Sequence, residues 1–134
     1  MNTRRALNSY AKVSCEANIG VASPHELIQM LYDGALQRIV QAKGAIQHNQ
    51  VGVKGKKINE TIAIINGLRE NLDLDNGGDL ANNMEMLYIY ILSVLNKAHQ
   101  KNDIALLDEA AQLIGNMASA WREISPSKVT ESSL

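Results

Sequence analysis

The residues of this chain able to do chemistry are three histidines, one cysteine and a short acidic run, so their spacing is weighed first. "HELIQ" (25–29) opens like a zinc-protease helix. That motif needs histidines at i and i+4 to hold the metal from one helix face. The second position here is Gln29, so the pair is missing, and His25 reads as a polar residue in the first turn of a helix. "DLDNGGDLANNM" (73–84) opens like a calcium loop, but its fifth position is Gly77 and its twelfth is Met84, where a bidentate Glu belongs. Its aspartates read as turn formers and helix caps.

Other constellations fail in the same way. A di-iron bundle needs Glu-x-x-His pairs pointing inward, and none of His25, His48 and His99 has a Glu three residues before it. "GVKGKK" lacks the spacing and the Ser or Thr of a phosphate loop. Cys15 is a nucleophile in principle, but no neighbouring charge would generate its thiolate, so it reads as an incidental or buried thiol. The sequence offers no catalytic site, no metal site and no cofactor site, and we read the chain as a protein that is not an enzyme.

Composition narrows the classes further. The chain has 134 residues, enough for one ordinary domain. Hydrophobic residues make up 46% and charged residues 20%, so it can bury a core. A formal net charge of −1 gives no basic footprint for nucleic acid. One cysteine excludes an internal disulfide and fits a reducing compartment. Arg4 and Arg5 are followed by no apolar stretch of a secretory signal. No apolar run approaches the roughly 20 residues of a spanning helix. The expectation is a soluble cytoplasmic protein without membrane insertion.

The elements that would position any site are helical throughout. Ser23-Pro24 with Glu26 signals a helix start and a capping box. From there a helix is expected to about Gln47, with Ile28, Leu31, Ala35, Ile39, Ala42 and Ile46 on its core stripe. "HNQVGVKG" (48–55) reads as a loop. A second helix is expected over about 56–72, with Ile58, Ile62, Ile65, Leu68 and Leu72 inside. "DLDNGG" (73–78) is a turn, and Asp79 is placed to cap a helix running to about Gln100. Asn102 or Asp103 caps a last helix to about Ile124, stopped by Ser125-Pro126. Its stripe is Leu106/Leu107, Ala110, Leu113/Ile114, Met117, Trp121 and Ile124. Short connections make successive helices antiparallel neighbours, giving an all-α, up-and-down four-helix bundle over residues 23–125. Residues 4–17 form a short helical segment on the N-terminal stretch 1–22, and 126–134 read as a disordered tail.

"EMLYIYIL" (85–92) does not fit a plain bundle. On a wheel of about 100° per residue, Met84, Leu87, Tyr88, Ile91, Val94, Leu95 and Ala98 share the core face. Met86 and Ile89 fall opposite, with Tyr90 beside them. In the first helix, Tyr32, Leu36 and Val40 form a second ridge at i, i+4 and i+8, which either widens the core face or meets a partner. Large apolar groups on the water side of a bundle require a cover: the N-terminal segment, the tail, a second copy, or another chain. The candidate partner-binding residues are Tyr32, Leu36, Val40, Met86, Ile89 and Tyr90.

Here the sequence resembles a known family, the FliS flagellin export chaperones. "YAKVS" (10–14), "ASPHELIQMLYDGAL" (22–36), "GGDLANNMEMLYIY" (77–90), "NDIALLDEA" (102–110) and "AWREI" (120–124) fit it in order and spacing across nearly the whole chain. The combination of Ser-Pro, Leu-Ile, Met-Leu-Tyr and Asp-Gly-Ala in 22–35 is the most specific piece. The chain departs from the family at Ile89, where a polar residue, often Asp, usually stands between the two tyrosines. The resemblance implies a cytoplasmic chaperone that binds the disordered C-terminal segment of flagellin. It would block premature polymerisation and serve the flagellar type III export machinery. It also implies an N-terminal segment able to cover part of the client surface as a lid, with Leu7 and Tyr10 as matching positions. Those two residues can equally belong to the core. The competing reading is a helical homodimeric scaffold or regulatory adaptor with no flagellin client.

Overall fold

The computed structural model describes residues 23–124, and within them the chain is four helices and their turns. They are α1 (Pro24–Gln47), α2 (Val51–Glu70), α3 (Gly78–Lys101) and α4 (Ile104–Arg122). The N-terminal segment 1–22 with Leu7, Tyr10 and Cys15, and the tail 126–134, lie outside the described residues.

Local chemistry sets most of the boundaries. Ser23 is the N-cap of α1: its hydroxyl accepts the Glu26 N–H at 3.2 Å, and Pro24 occupies the first helical position. Asn49 takes a left-handed conformation (φ 58°), and Gln50 N–H reaches back to Ala45 O at 2.8 Å. The chain therefore reverses over 48–50, and α2 starts at Val51. The expected loop through residue 55 is corrected: Val51–Gly55 is helix. Tertiary contacts outweigh the low helix propensity of its glycines there. Lys54 is buried and ties α2 to α3 through Nζ bonds to His99 O and Asn102 Oδ1.

Asp73 organises the α2–α3 turn, accepting the backbone N–H of Asn76 at 3.1 Å and its side-chain amide at 3.1 Å. These bonds hold the Asp73 carboxyl below its ordinary range, because they favour the charged form. Gly77 must be glycine: an added Cβ would lie 2.5 Å from both Asp73 O and the Ala81 side chain. The helix begins one residue before Asp79, so Asp79 is not the cap. It sits in the first turn, where a carboxylate favours the helix dipole. Asn102 closes α3 in a left-handed conformation (φ 50°), and the Asp103 side chain caps α4 through Ala105 N and Leu106 N.

Contacts run α1–α2, α2–α3, α3–α4 and α4–α1, which closes a ring of antiparallel neighbours. Cross-links fix the directions. Arg38 pairs with Glu60 across α1–α2, Arg69 with Glu85 across α2–α3, and Lys43 with Asp108 across α1–α4. The core is Ile28, Leu31, Ala35 and Ile39 against Ile58, Ile65 and Leu68, with Tyr88, Ile91, Leu95, Leu107 and Ile114 opposite. Thr61 is also buried; its hydroxyl donates to Lys57 O at 2.9 Å. Each helix buries one stripe, as the apolar spacing requires.

Candidate functional site

α3 carries the excess of apolar surface. Its inner stripe is filled as the wheel requires, with Tyr88, Ile91, Val94, Leu95 and Ala98 buried. Its outer side exposes Met86 (69%), Ile89 (46%) and Tyr90 (49%). Neighbouring bonds orient this face. Glu85 pairs with Arg69 of α2, and Ile89 follows one turn later on that side. Tyr90 donates its hydroxyl proton to Glu109 of α4, and Met86 precedes it by one turn. The Glu109 carboxylate that takes this bond holds the Tyr90 phenol above its ordinary range. Met86 and Tyr90 thus border the α3–α4 seam, and Ile89 leans toward α2.

The ridge expected on α1 splits. Tyr32 is only 1% exposed. Of the two readings open for it, the core one fits, which corrects its place among the partner-binding candidates: it points across the bundle, where its hydroxyl meets that of Tyr88 at 2.6 Å. The pair lets two bulky aromatics fill the centre without stranding either oxygen. Leu36 is half-buried against the core, and Val40 is exposed. Val40 lies between Asp33 and Lys43, which pair with Arg122 and Asp108 of α4, so it belongs to the α1–α4 seam. α1 and α3 sit diagonally in the ring, so Val40 and Met86 occupy different faces. The six candidates form no single site.

Sequence reasoning missed the contribution of α4. Leu106, Leu113 and Met117 are half-buried on the core margin, and they share a helical face with Glu109. They line the seam that Met86 and Tyr90 border. Their spacing of seven and four was visible, but it read as core alone.

His25 serves structure. Its ring Nε2 lies 2.9 Å from Trp121 O, and Trp121 Nε1 donates to His25 O at 2.9 Å. The rings stack at 5.2 Å between centroids. A carbonyl can only accept, so Nε2 carries a proton there. Among the described residues, no group of three His, Cys, Asp or Glu could hold a metal ion. None of the described helices is long and apolar enough to cross a membrane.

The family model "Flagellar protein FliS" matches residues 6–128. The chain belongs to the FliS family. It is 44% identical over 125 residues to the flagellar secretion chaperone FliSB of Pseudomonas aeruginosa, covering 93% of this chain and 99% of the relative. It is 40% identical over 127 residues to the flagellar secretion chaperone FliS of Salmonella typhimurium, covering 94% of each. The corresponding protein of Vibrio cholerae is 38% identical over 123 residues, covering 92% of this chain and 90% of the relative. A FliS chain is a chaperone, not an enzyme.

Proposed function

We propose that this chain is a cytoplasmic export chaperone that binds the C-terminal segment of flagellin, keeps it from polymerising early and assists its type III export. Family membership supplies the export role, and the flagellin client is our reading. The observation that carries it is the exposure of Met86, Ile89 and Tyr90 together on the outer side of α3. Holding an unfolded segment requires no reactive group. It requires surplus apolar surface with adaptable side chains, large enough to offset the ordering of the client. Leu36 and Val40 are candidates for a second contact on the α1–α4 seam. Residues 1–22, through Leu7 and Tyr10, are proposed to cover part of the client surface until it arrives.

The test is calorimetry with a flagellin C-terminal peptide. Met86→Asp combined with Ile89→Asp should leave helicity intact and weaken binding at least tenfold. Each apolar side chain lost from an interface is worth about 1.5–3 kcal/mol, and about 1.4 kcal/mol is one decade. Ile114→Asp, in the core, should unfold the bundle instead. Normal peptide affinity in the double variant removes this face as the site. Conversion of a dimer to a monomer, with no peptide binding by either protein, favours the homodimeric scaffold.

A further inference from the structure

Charge is divided between the two ends of the bundle. Around the end where α1 begins and α4 stops stand Glu26, Glu70, Asp73, Asp75, Asp79 and Glu85, against Arg69 and Arg122. Within about two turns of the opposite pole, where α1 gives way to α2 and α3 to α4, stand Lys43, Lys54, Lys56, Lys57, Lys97 and Lys101. The carboxylates near that pole are already bonded: Asp108 to Lys43, Asp103 to the first N–H groups of α4, and Glu109 to Tyr90. Glu60, farther along α2, takes Lys57 and Arg38. Lys54, Lys56, Lys97 and Lys101 make no ion pair among the described residues.

Lys54 is the buried member of this set. It is 8% exposed, and both its acceptors, His99 O and Asn102 Oδ1, are neutral. An ammonium has three donors, so one remains. A buried cation is ordinarily paired with an anion, because burial strips its hydration. Lys54 also lines a cleft of about 130 Å³, with Asn49, Gln50 and Asn102 as its other polar members and Ala45, Ile46 and Val51 as its apolar ones. No carboxylate lines it. The last carbonyls of α1 that border it are taken: Gly44 O by His48 N–H, Ile46 O by Asn49 N–H, and Ala45 O by Gln50 N–H. On the α2 side, Gln50 gives no side-chain cap and the first turn holds no acidic residue. The first N–H groups of α2, at Val51, Gly52 and Val53, therefore have no partner within the helix.

We propose that this cleft takes the terminal carboxylate of the client chain, with the last side chain against Ile46 and Val51. This rests on the reading above, in which the client is a C-terminal segment, and such a segment ends in an α-carboxylate. A carboxylate on Lys54 Nζ makes a charge-assisted bond, about twice as strong as a neutral one, and it also meets the positive end of α2. Capture of a chain end by such donors is a recurring mode of peptide recognition. The remaining space suits one aliphatic side chain, since an apolar cavity of about 150 Å³ takes a benzene ring. Reach is no obstacle. Tyr90 and Asn102 are about 18 Å apart along α3, which about six extended residues span. A client lying on the outer side of α3 thus ends at this cleft when its chain runs toward the carboxyl end of that helix.

The test compares the flagellin C-terminal peptide carrying a free terminus with the same peptide amidated there, by calorimetry on the full chain. Amidation should weaken binding to the unaltered protein at least tenfold. Two variants locate the effect. Lys54→Met removes the ammonium. Gln50→Asp, at an exposed residue, sets a carboxylate where it caps α2 and repels the client's end. In each, the two peptides should bind within about threefold of one another, and the amidated one as tightly as it binds the unaltered protein. Circular dichroism checks helicity, and if Lys54→Met does not fold, Gln50→Asp decides alone. Equal binding of both peptides by the unaltered protein overturns the proposal and leaves the flagellin reading standing; if Gln50→Asp then weakens both alike, a side-chain carboxylate is the ligand instead. A tenfold difference that survives in either folded variant places the terminus elsewhere and overturns the proposal too. Binding of neither peptide by the unaltered protein overturns both readings.

Discussion

Tyr32 of α1 and Tyr88 of α3 join their hydroxyls at 2.6 Å across the diagonal of the bundle, between two helices that are not neighbours in the ring. Each phenol is the polar partner of the other in a centre built from isoleucine and leucine. Removing one hydroxyl leaves the other buried and unanswered. Tyr88→Phe should therefore cost about 1–3 kcal/mol, and Tyr32→Phe a similar amount. The double Phe variant should cost less than the sum, since it strands nothing. Urea unfolding of the four proteins closes the cycle, and strict additivity would show that the bond is not made.

The same pair sets a limit at high pH. Burial raises both phenols above the ordinary value of 10.0; for Tyr32 the bond to Tyr88 takes back part of the rise, and for Tyr88 the neighbouring Tyr32 adds to it. A folded-state value above the unfolded one means stability that is complete below about pH 10 and falls as pH rises beyond it. Tyrosinate absorbance of these two residues should appear only together with loss of helical signal. In Tyr32→Phe/Tyr88→Phe the alkaline fall in stability should be shallower.

Lys54 is 8% exposed and holds the carboxyl end of α3, donating to His99 O at 3.1 Å and to the Asn102 side chain. A cation there meets the negative end of the helix dipole and fills acceptors that would otherwise be orphaned. Lys54→Met keeps the stem and removes the donors. It should cost about 1–3 kcal/mol in thermal or urea unfolding. A neutral result would show that solvent satisfies those carbonyls equally well.

Leu7→Ala with Tyr10→Ala tests the proposed lid. A lid contributes little to the fold, so thermal stability should hold, and client affinity should stay or rise, because covered sites bind more weakly by the covered fraction. Hydrogen exchange over residues 4–17 should increase when client is added. If instead the variant loses about 2–5 kcal/mol and exchange is unmoved by client, the two residues belong to the core.

Much of this fold is legible in the sequence because local signals and tertiary contacts agree. Ser23-Pro24 and Asp103 start their helices as the capping chemistry requires. The inner stripe of α3 is buried as the wheel places it. The start of α2 was hidden, since Gly52 and Gly55 argue for a loop, while Lys54 reaches α3 only in the folded molecule. α2 ends at Glu70 and α4 at Arg122, each two residues short of the apolar pattern, as fraying ends do. Met86 and Ile89 stood out as exposed because they oppose the core on their own helix. Tyr32 did not declare itself, because its spacing fits two faces equally and its deciding partner, Tyr88, is 56 residues away. The α4 side of the seam escaped notice because a half-buried leucine and a buried one follow the same period.

The His25–Trp121 clasp makes the entry of α1 and the exit of α4 neighbours, while the 48–50 and 102–103 turns lie at the far pole. The bundle is thus a cylinder with its wiring at one end and two tight turns at the other. The segments that precede Ser23 and follow Ile124 therefore both join the four helices beside the clasp, at one pole.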